Sequence, residues 1–118
     1  MSNPYNRKLG LAGIDPATIG ENGMAERIGT MLADGLHGLA FSPYVDGQDN
    51  MFDVTAEQIR ARMSMLAPHA SWIRTFSCTR GNEMSPGIAK ELGLNSMVGV
   101  WIDDDLGRNE IEMQNGIE

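Results

Sequence analysis

Hydrophobic residues in this chain fall either in short continuous runs or at helical spacing, and the two patterns alternate. Met24, Ile28, Met31 and Leu32 recur at i, i+4, i+7 and i+8, with Asn22 ahead of them as a cap and Gly35 behind as a stop, which predicts an amphipathic helix. The run GLAFSPY, residues 38–44, reads as a buried strand that ends at Ser-Pro and enters the polar loop VDGQDN. Thr55 with Gln58 forms a capping box, and Ala56, Ile59, Met63, Leu66 and Ala67 then line one helical face until Pro68 interrupts it. Residues 72–78 supply a second strand. Ser85 as cap, Pro86 in the first turn, Ile88, Ala89 and Leu92 facing inward and Gly93 as a stop mark the next helix. SMVGVWI, residues 96–102, is a third strand, after which Asp103, Asp104 and Asp105 lead into a helical pattern carried by Leu106, Ile111 and Met113.

Strand and helix therefore alternate after residue 37, and no two strands are joined by a two-residue hairpin turn. Strands that are apolar almost throughout need cover on both faces, so the pattern predicts an α/β fold with a parallel sheet flanked by helices. Two architectures satisfy it: an open doubly wound sheet, or the first three βα units of a TIM (β/α)8 barrel preceded by an N-terminal helix. A whole barrel takes about 250 residues, whereas this chain has 118. Three strands alone leave unpaired edges and little apolar cover. The expectation is an incomplete barrel cut short within an acidic helix and self-associating through its exposed sheet edges.

Composition narrows the partners. The chain is 42% hydrophobic and 21% charged, as an ordinary globular segment is. Its net charge of −7 is uneven: residues 1–102 hold 10 acids and 8 bases, residues 103–118 hold 6 acids and 1 base. Without a basic cluster, nucleic acid and anionic membrane are disfavoured as partners. MSNPYNRKLG lacks the apolar core of a signal peptide, and no run approaches the ~18 apolar residues of a membrane span, so a cytoplasmic location is expected. Cys78 is the one cysteine, which leaves no intrachain disulfide, and neither His37 nor His69 stands at a metal-ligand spacing from it. No metal or other cofactor is expected, and Cys78 reads as a buried, idle thiol. An open-sheet nucleotide binder lacks support, since GLAGID is not a Gly-x-Gly-x-x-Gly and no P-loop lysine is present.

At GLAFSPY, WIRTFSCTRGNE and KELGLNSMVGVWIDDD the sequence resembles the bacterial branch of glycoside hydrolase family 17, the β-1,3-glucanase-like barrel enzymes. The resemblance covers roughly residues 36–118 and, more loosely, GLAGIDPATIGENGMAERI before them. It implies residues 1–37 as an N-terminal extension and residues 38–118 as the N-terminal part of the barrel domain. It also implies a β-glucan or oligosaccharide substrate and retaining cleavage or transfer by two glutamates. One is an acid/base in a Gly-Asn-Glu after the fourth strand, the other a nucleophile after the seventh, and both fall beyond Glu118. Retention needs the two carboxyl groups about 5–5.5 Å apart, so this chain alone is expected to be inactive. A stand-alone α/β module that binds a carbohydrate or partner without chemistry is the alternative.

Gly81-Asn82-Glu83 has the letters of the acid/base motif, but it follows the second strand, with Thr79 and Arg80 between it and the apolar run. There Glu83 is more simply a first-turn charge favourable to the helix dipole. The rule that barrel ligands meet the C-terminal ends of strands selects Ser42 and Tyr44, Ser77 and Thr79, and Trp101 to Asp103. Tyr44 and Trp101 suit the floor or wall of a sugar site, or else core packing. Arg74 interrupts a strand expected to be buried, so it either orients carboxylates in a site or forms a structural ion pair. The substrate-binding set is thus Tyr44, Arg74, Ser77 and Trp101. Asp103, Asp104 and Asp105 diverge in direction and lack a calcium-loop pattern. One is expected to cap the last helix, and Asp46, Asp49 and Asp53 are expected in a hydrated loop.

Overall fold

The structure, a computed structural model, describes residues 16–118, so GLAGID lies outside the described residues. The chain divides into two compact units, Met1–Gly35 and Leu36–Glu118. In the first, helix α1 spans Pro16–Asp34 and is broken at Gly20 (φ 68, ψ 176). A positive φ at a residue without a Cβ allows the break without strain. Asn22 lies inside this helix rather than capping it. Gly35, at φ 87, ends it in the left-handed conformation expected of a stop.

The second unit runs β1 (Leu36–Ala40), α2 (Ala56–Leu66), β2 (Ala70–Arg74), a 3-10 turn (Asn82–Met84), α3 (Ser85–Glu91), β3 (Asn95–Met97) and α4 (Leu106–Ile117). Its strands form a parallel sheet in the order β1-β2-β3, with Leu36 opposite Ala70 and Trp72 opposite Asn95. The fold class is thus α/β, as the alternation predicted. Each strand is shorter than its apolar run, and β1 begins inside the expected N-terminal extension. Single hydrogen bonds extend the pairing, from Phe41 N to Arg74 O at 2.9 Å and from Thr75 N to Met97 O at 3.0 Å. SMVGVWI is a strand only in its first residues. Gly99 there sits where a Cβ would overlap the Thr75 carbonyl oxygen, and its N–H donates to Thr75 Oγ1 at 3.1 Å. Close backbone approach replaces the ladder, and Val98, Val100, Trp101 and Ile102 are left exposed.

Helix α2 follows its pattern closely. Thr55 accepts from Gln58 N at 3.2 Å, although the Gln58 side chain turns away to Pro43 O at 2.8 Å, so only half of the capping box closes. Ile59 and Met63 are wholly buried, each contributing roughly 1.5–3 kcal/mol by leaving water. They pack with Phe41, Val54, Ile73, Ile88, Ala89 and Leu94. In α3 Ser85 is a buried helical residue and not a side-chain cap; Pro86 and the Gly93 stop (φ 77) stand as expected. Helices α2 and α3 cover the sheet face that carries Ile73, while Trp72 and Arg74 on the other face are exposed.

Candidate functional site

The sheet's parallel order brings the segments after all three strands to one end, and a cavity of about 240 Å³ opens there. Phe41, Ser42, Pro43 and Tyr44 follow β1, Phe76, Ser77 and Asn82 follow β2, Trp101 follows β3, and Asn50 and Arg108 complete the lining. The volume is below the ~300–1,000 Å³ of complete small-molecule sites. It admits a single small unit. Tyr44, Ser77 and Trp101 of the sequence-derived set therefore converge, together with Ser42. Tyr44 is half-buried against the core and accepts from Asn82 Nδ2 at 3.2 Å, whereas Trp101 is 46% exposed and is not a core residue. Among the described residues no carboxylate lines this cavity.

Arg74 does not line this cavity; with Phe76 and Trp101 it lines a neighbouring hollow. The expectation of a buried guanidinium is overturned: its side of the sheet is uncovered among the described residues, and Arg74 lies over the Phe76 ring with Cζ 5.1 Å from the centroid. Exposure removes the need for the ion pair that burial would have imposed.

Glu112, which the sequence reading did not single out, is the most heavily bonded side chain near the cavity. It is fully buried on α4. Its Oε1 accepts from the Ser77 hydroxyl and from Thr79 Oγ1 at 2.7 Å; its Oε2 accepts from Cys78 N at 2.7 Å and Trp101 N at 3.1 Å. Burial by itself raises its pKa, but the donors of Ser77, Thr79, Cys78 and Trp101 outweigh burial and hold the carboxyl below its ordinary value. It is ionised at neutral pH and poorly suited to donate a proton. What it does is tie the segments after β2 and β3 to one helix.

The rest of the inward face of α4 works the same way. Asn115 Nδ2 donates to Cys78 O at 2.7 Å, and Asn109 both accepts from Asp103 N at 2.9 Å and donates to Asp103 O at 2.8 Å. Leu106, Ile111 and Met113, which carry the helical pattern in the sequence, are exposed. Asp105 caps the helix by accepting from Arg108 N at 3.0 Å; Asp103 pairs with the Arg108 guanidinium at 3.9 Å.

Gly81-Asn82-Glu83 forms a turn. Gly81 has φ 91, and a Cβ there would overlap the Val54 carbonyl oxygen, so the glycine is required by the backbone. Glu83 is exposed and accepts from Gly81 N at 2.9 Å. It does not line the cavity. Asn82, the middle letter, does. Cys78 is buried, which pushes its thiol pKa up and leaves it inert; the nearby Glu112 and Glu83 charges act in the same direction. Among the described residues no helix is long and apolar enough to cross a membrane.

Comparison with family models, with curated proteins and with solved structures finds no match of any of the three kinds.

Proposed function

We propose that Leu36–Glu118 is the front portion of a family 17-like (β/α)8 glycoside hydrolase or transglycosylase acting on β-1,3-glucan. In this chain its strand-end cavity binds a sugar without supplying the reacting carboxylates. The strand order β1-β2-β3 supports the barrel side of this reading, because it has no reversal. Right-handed crossovers then stack successive helices on one face, whereas a doubly wound sheet reverses its order at a switch point and covers both.

The observation that carries the sugar reading is the convergence of Tyr44, Ser77 and Trp101 on one cavity at the C-terminal ends of the strands. Aromatic rings offer an apolar surface to the C–H faces of a pyranose, and neighbouring hydroxyls and amides orient its oxygens. Among the described residues the lining has no Asp or Glu, and retaining chemistry needs two. That same lining favours a second reading, a small α/β module that binds carbohydrate or a partner without catalysis.

Calorimetric titration of the chain with a β-1,3-linked glucotriose tests the proposal. The expected result is saturable binding, weakened about tenfold by Trp101→Ala, with no reducing ends released. Absence of binding, or binding untouched by both Trp101→Ala and Tyr44→Ala, contradicts the site; release of reducing ends contradicts the missing reaction centre.

A further inference from the structure

Glu112 is fully buried, yet among the described residues no ion pair joins it to a base. Such a charge persists in a protein interior only if donors satisfy it, and here four do, from Ser77, Cys78, Thr79 and Trp101. An ionised carboxylate can only accept hydrogen bonds. The proton of the Ser77 hydroxyl is therefore committed to Glu112. Ser77 Oγ also accepts from Thr79 N at 3.3 Å, so a lone pair is what it retains for the cavity.

Tyr44 has the opposite polarity. The two amide hydrogens of Asn82 go to Tyr44 Oη at 3.2 Å and to Thr79 O at 3.0 Å, and the second of these fixes which way the amide faces, because a carbonyl cannot donate. Tyr44 Oη thus accepts from Asn82 and keeps its own proton to give. Two hydroxyl groups of the same cavity, which in isolation could each donate or accept, are set to opposite roles by residues behind them.

We infer that Glu112 is a positioning residue that fixes Ser77 as a hydrogen-bond acceptor, so that the cavity selects ligands bringing a hydroxyl hydrogen to Ser77 and an acceptor oxygen to Tyr44. The inference rests on the sugar-binding reading and sharpens it to a requirement on individual hydroxyls. A ligand with fluorine in place of the hydroxyl facing Ser77 keeps its shape there better than its chemistry. It lacks the hydrogen that Ser77 needs, and two acceptors then face each other.

The test uses a β-1,3-linked glucobiose and its set of monofluoro analogues, in each of which one hydroxyl is replaced by fluorine. With the wild-type chain, one analogue is expected to bind about tenfold more weakly than the parent, as loss of one well-placed hydrogen bond does. Ser77→Ala should weaken the parent and erase that discrimination. Glu112→Gln should erode it too, because the carboxamide nitrogen must take the place of one oxygen; the Cys78 and Trp101 N–H groups cannot turn, so it faces the Ser77 and Thr79 hydroxyls, which can, and the Ser77 proton is freed. A merely structural Glu112 would alter affinity for the parent and its analogues alike. Uniform binding of all analogues, or discrimination that survives Ser77→Ala, overturns the inference while leaving sugar binding intact. Failure of the parent sugar to bind overturns both. Ser77→Ala removes one half-buried hydroxyl and leaves Glu112 three of its four donors, which keeps the test valid if Glu112→Gln does not fold.

Discussion

Helices α2 and α4 follow β1 and β3 respectively, and they attach to the unit in opposite ways. Helix α2 inserts Ile59 and Met63, each wholly buried, into an apolar core. Helix α4 turns Asn109 and Glu112 inward and leaves Leu106 80% and Ile117 87% exposed. The difference lies in what each meets. Helix α2 faces the side chains of Ile73, Phe41 and Ile88. Helix α4 faces backbone groups of segments that have left the ladder, at Cys78, Trp101 and Asp103. Unpaired N–H and C=O groups need polar partners when buried, so the polar stripe is the one that docks. An amphipathic pattern predicts a helix; the partner surface decides which face is hidden.

The largest expected effect comes from removing the polar anchor. Glu112→Ala leaves the donors of Ser77, Cys78, Thr79 and Trp101 without their acceptor, and a loss of about 4 kcal/mol is expected in urea unfolding. Acid should act on the same anchor. The folded pKa of Glu112 is lowered from its ordinary 4.5, so its contribution is complete above that value and is lost as pH falls from there through the folded value. Stability measured against pH should decline in that window for the wild type, and Glu112→Gln should lack that part of the decline. Next is the apolar anchor: Met63→Ala should lose about 3 kcal/mol, from transfer and cavity terms together, with no dependence on acid. Smallest is the exposed stripe. Leu106→Ser should shift stability by no more than about 0.5 kcal/mol, and a loss comparable to that of Met63→Ala would show that α4 buries its apolar face after all.

Much of the second unit was legible because its signals are local. Thr55 capping, the Ile59 and Met63 face, and the stop at Gly93 depend on spacing and on φ preferences that operate within one turn. The strand runs fall in the right order, but each ladder starts one or two residues before its run and stops sooner, since an apolar run records burial or close packing and not ladder pairing; Gly99, held against the Thr75 carbonyl, is where SMVGVWI leaves the ladder. Tyr44, Ser77 and Trp101 were reachable through the rule about strand ends. The burial expected of Arg74 fails because the opposite sheet face is uncovered among the described residues, and a strand's sequence does not say whether both of its faces are covered. Glu112 was illegible for a different reason: Asn109, Glu112 and Asn115 at i, i+3 and i+6 look like any solvated stripe. Apart from the Ser77 and Thr79 hydroxyls, their partners are backbone atoms about 35 residues away or closer to hand, and backbone atoms leave no mark in the sequence.

Amide hydrogen exchange at Cys78 and Trp101, in the wild type and in Glu112→Ala, tests most directly the claim that a buried carboxylate organises the strand-end segments. Both N–H groups donate to Glu112 Oε2. The account predicts protection of both in the wild type and its loss at these two positions in the variant, with a smaller change at the Ile59 amide, in the apolar-docked helix α2. Equal exchange at Cys78 and Trp101 in both proteins would contradict it.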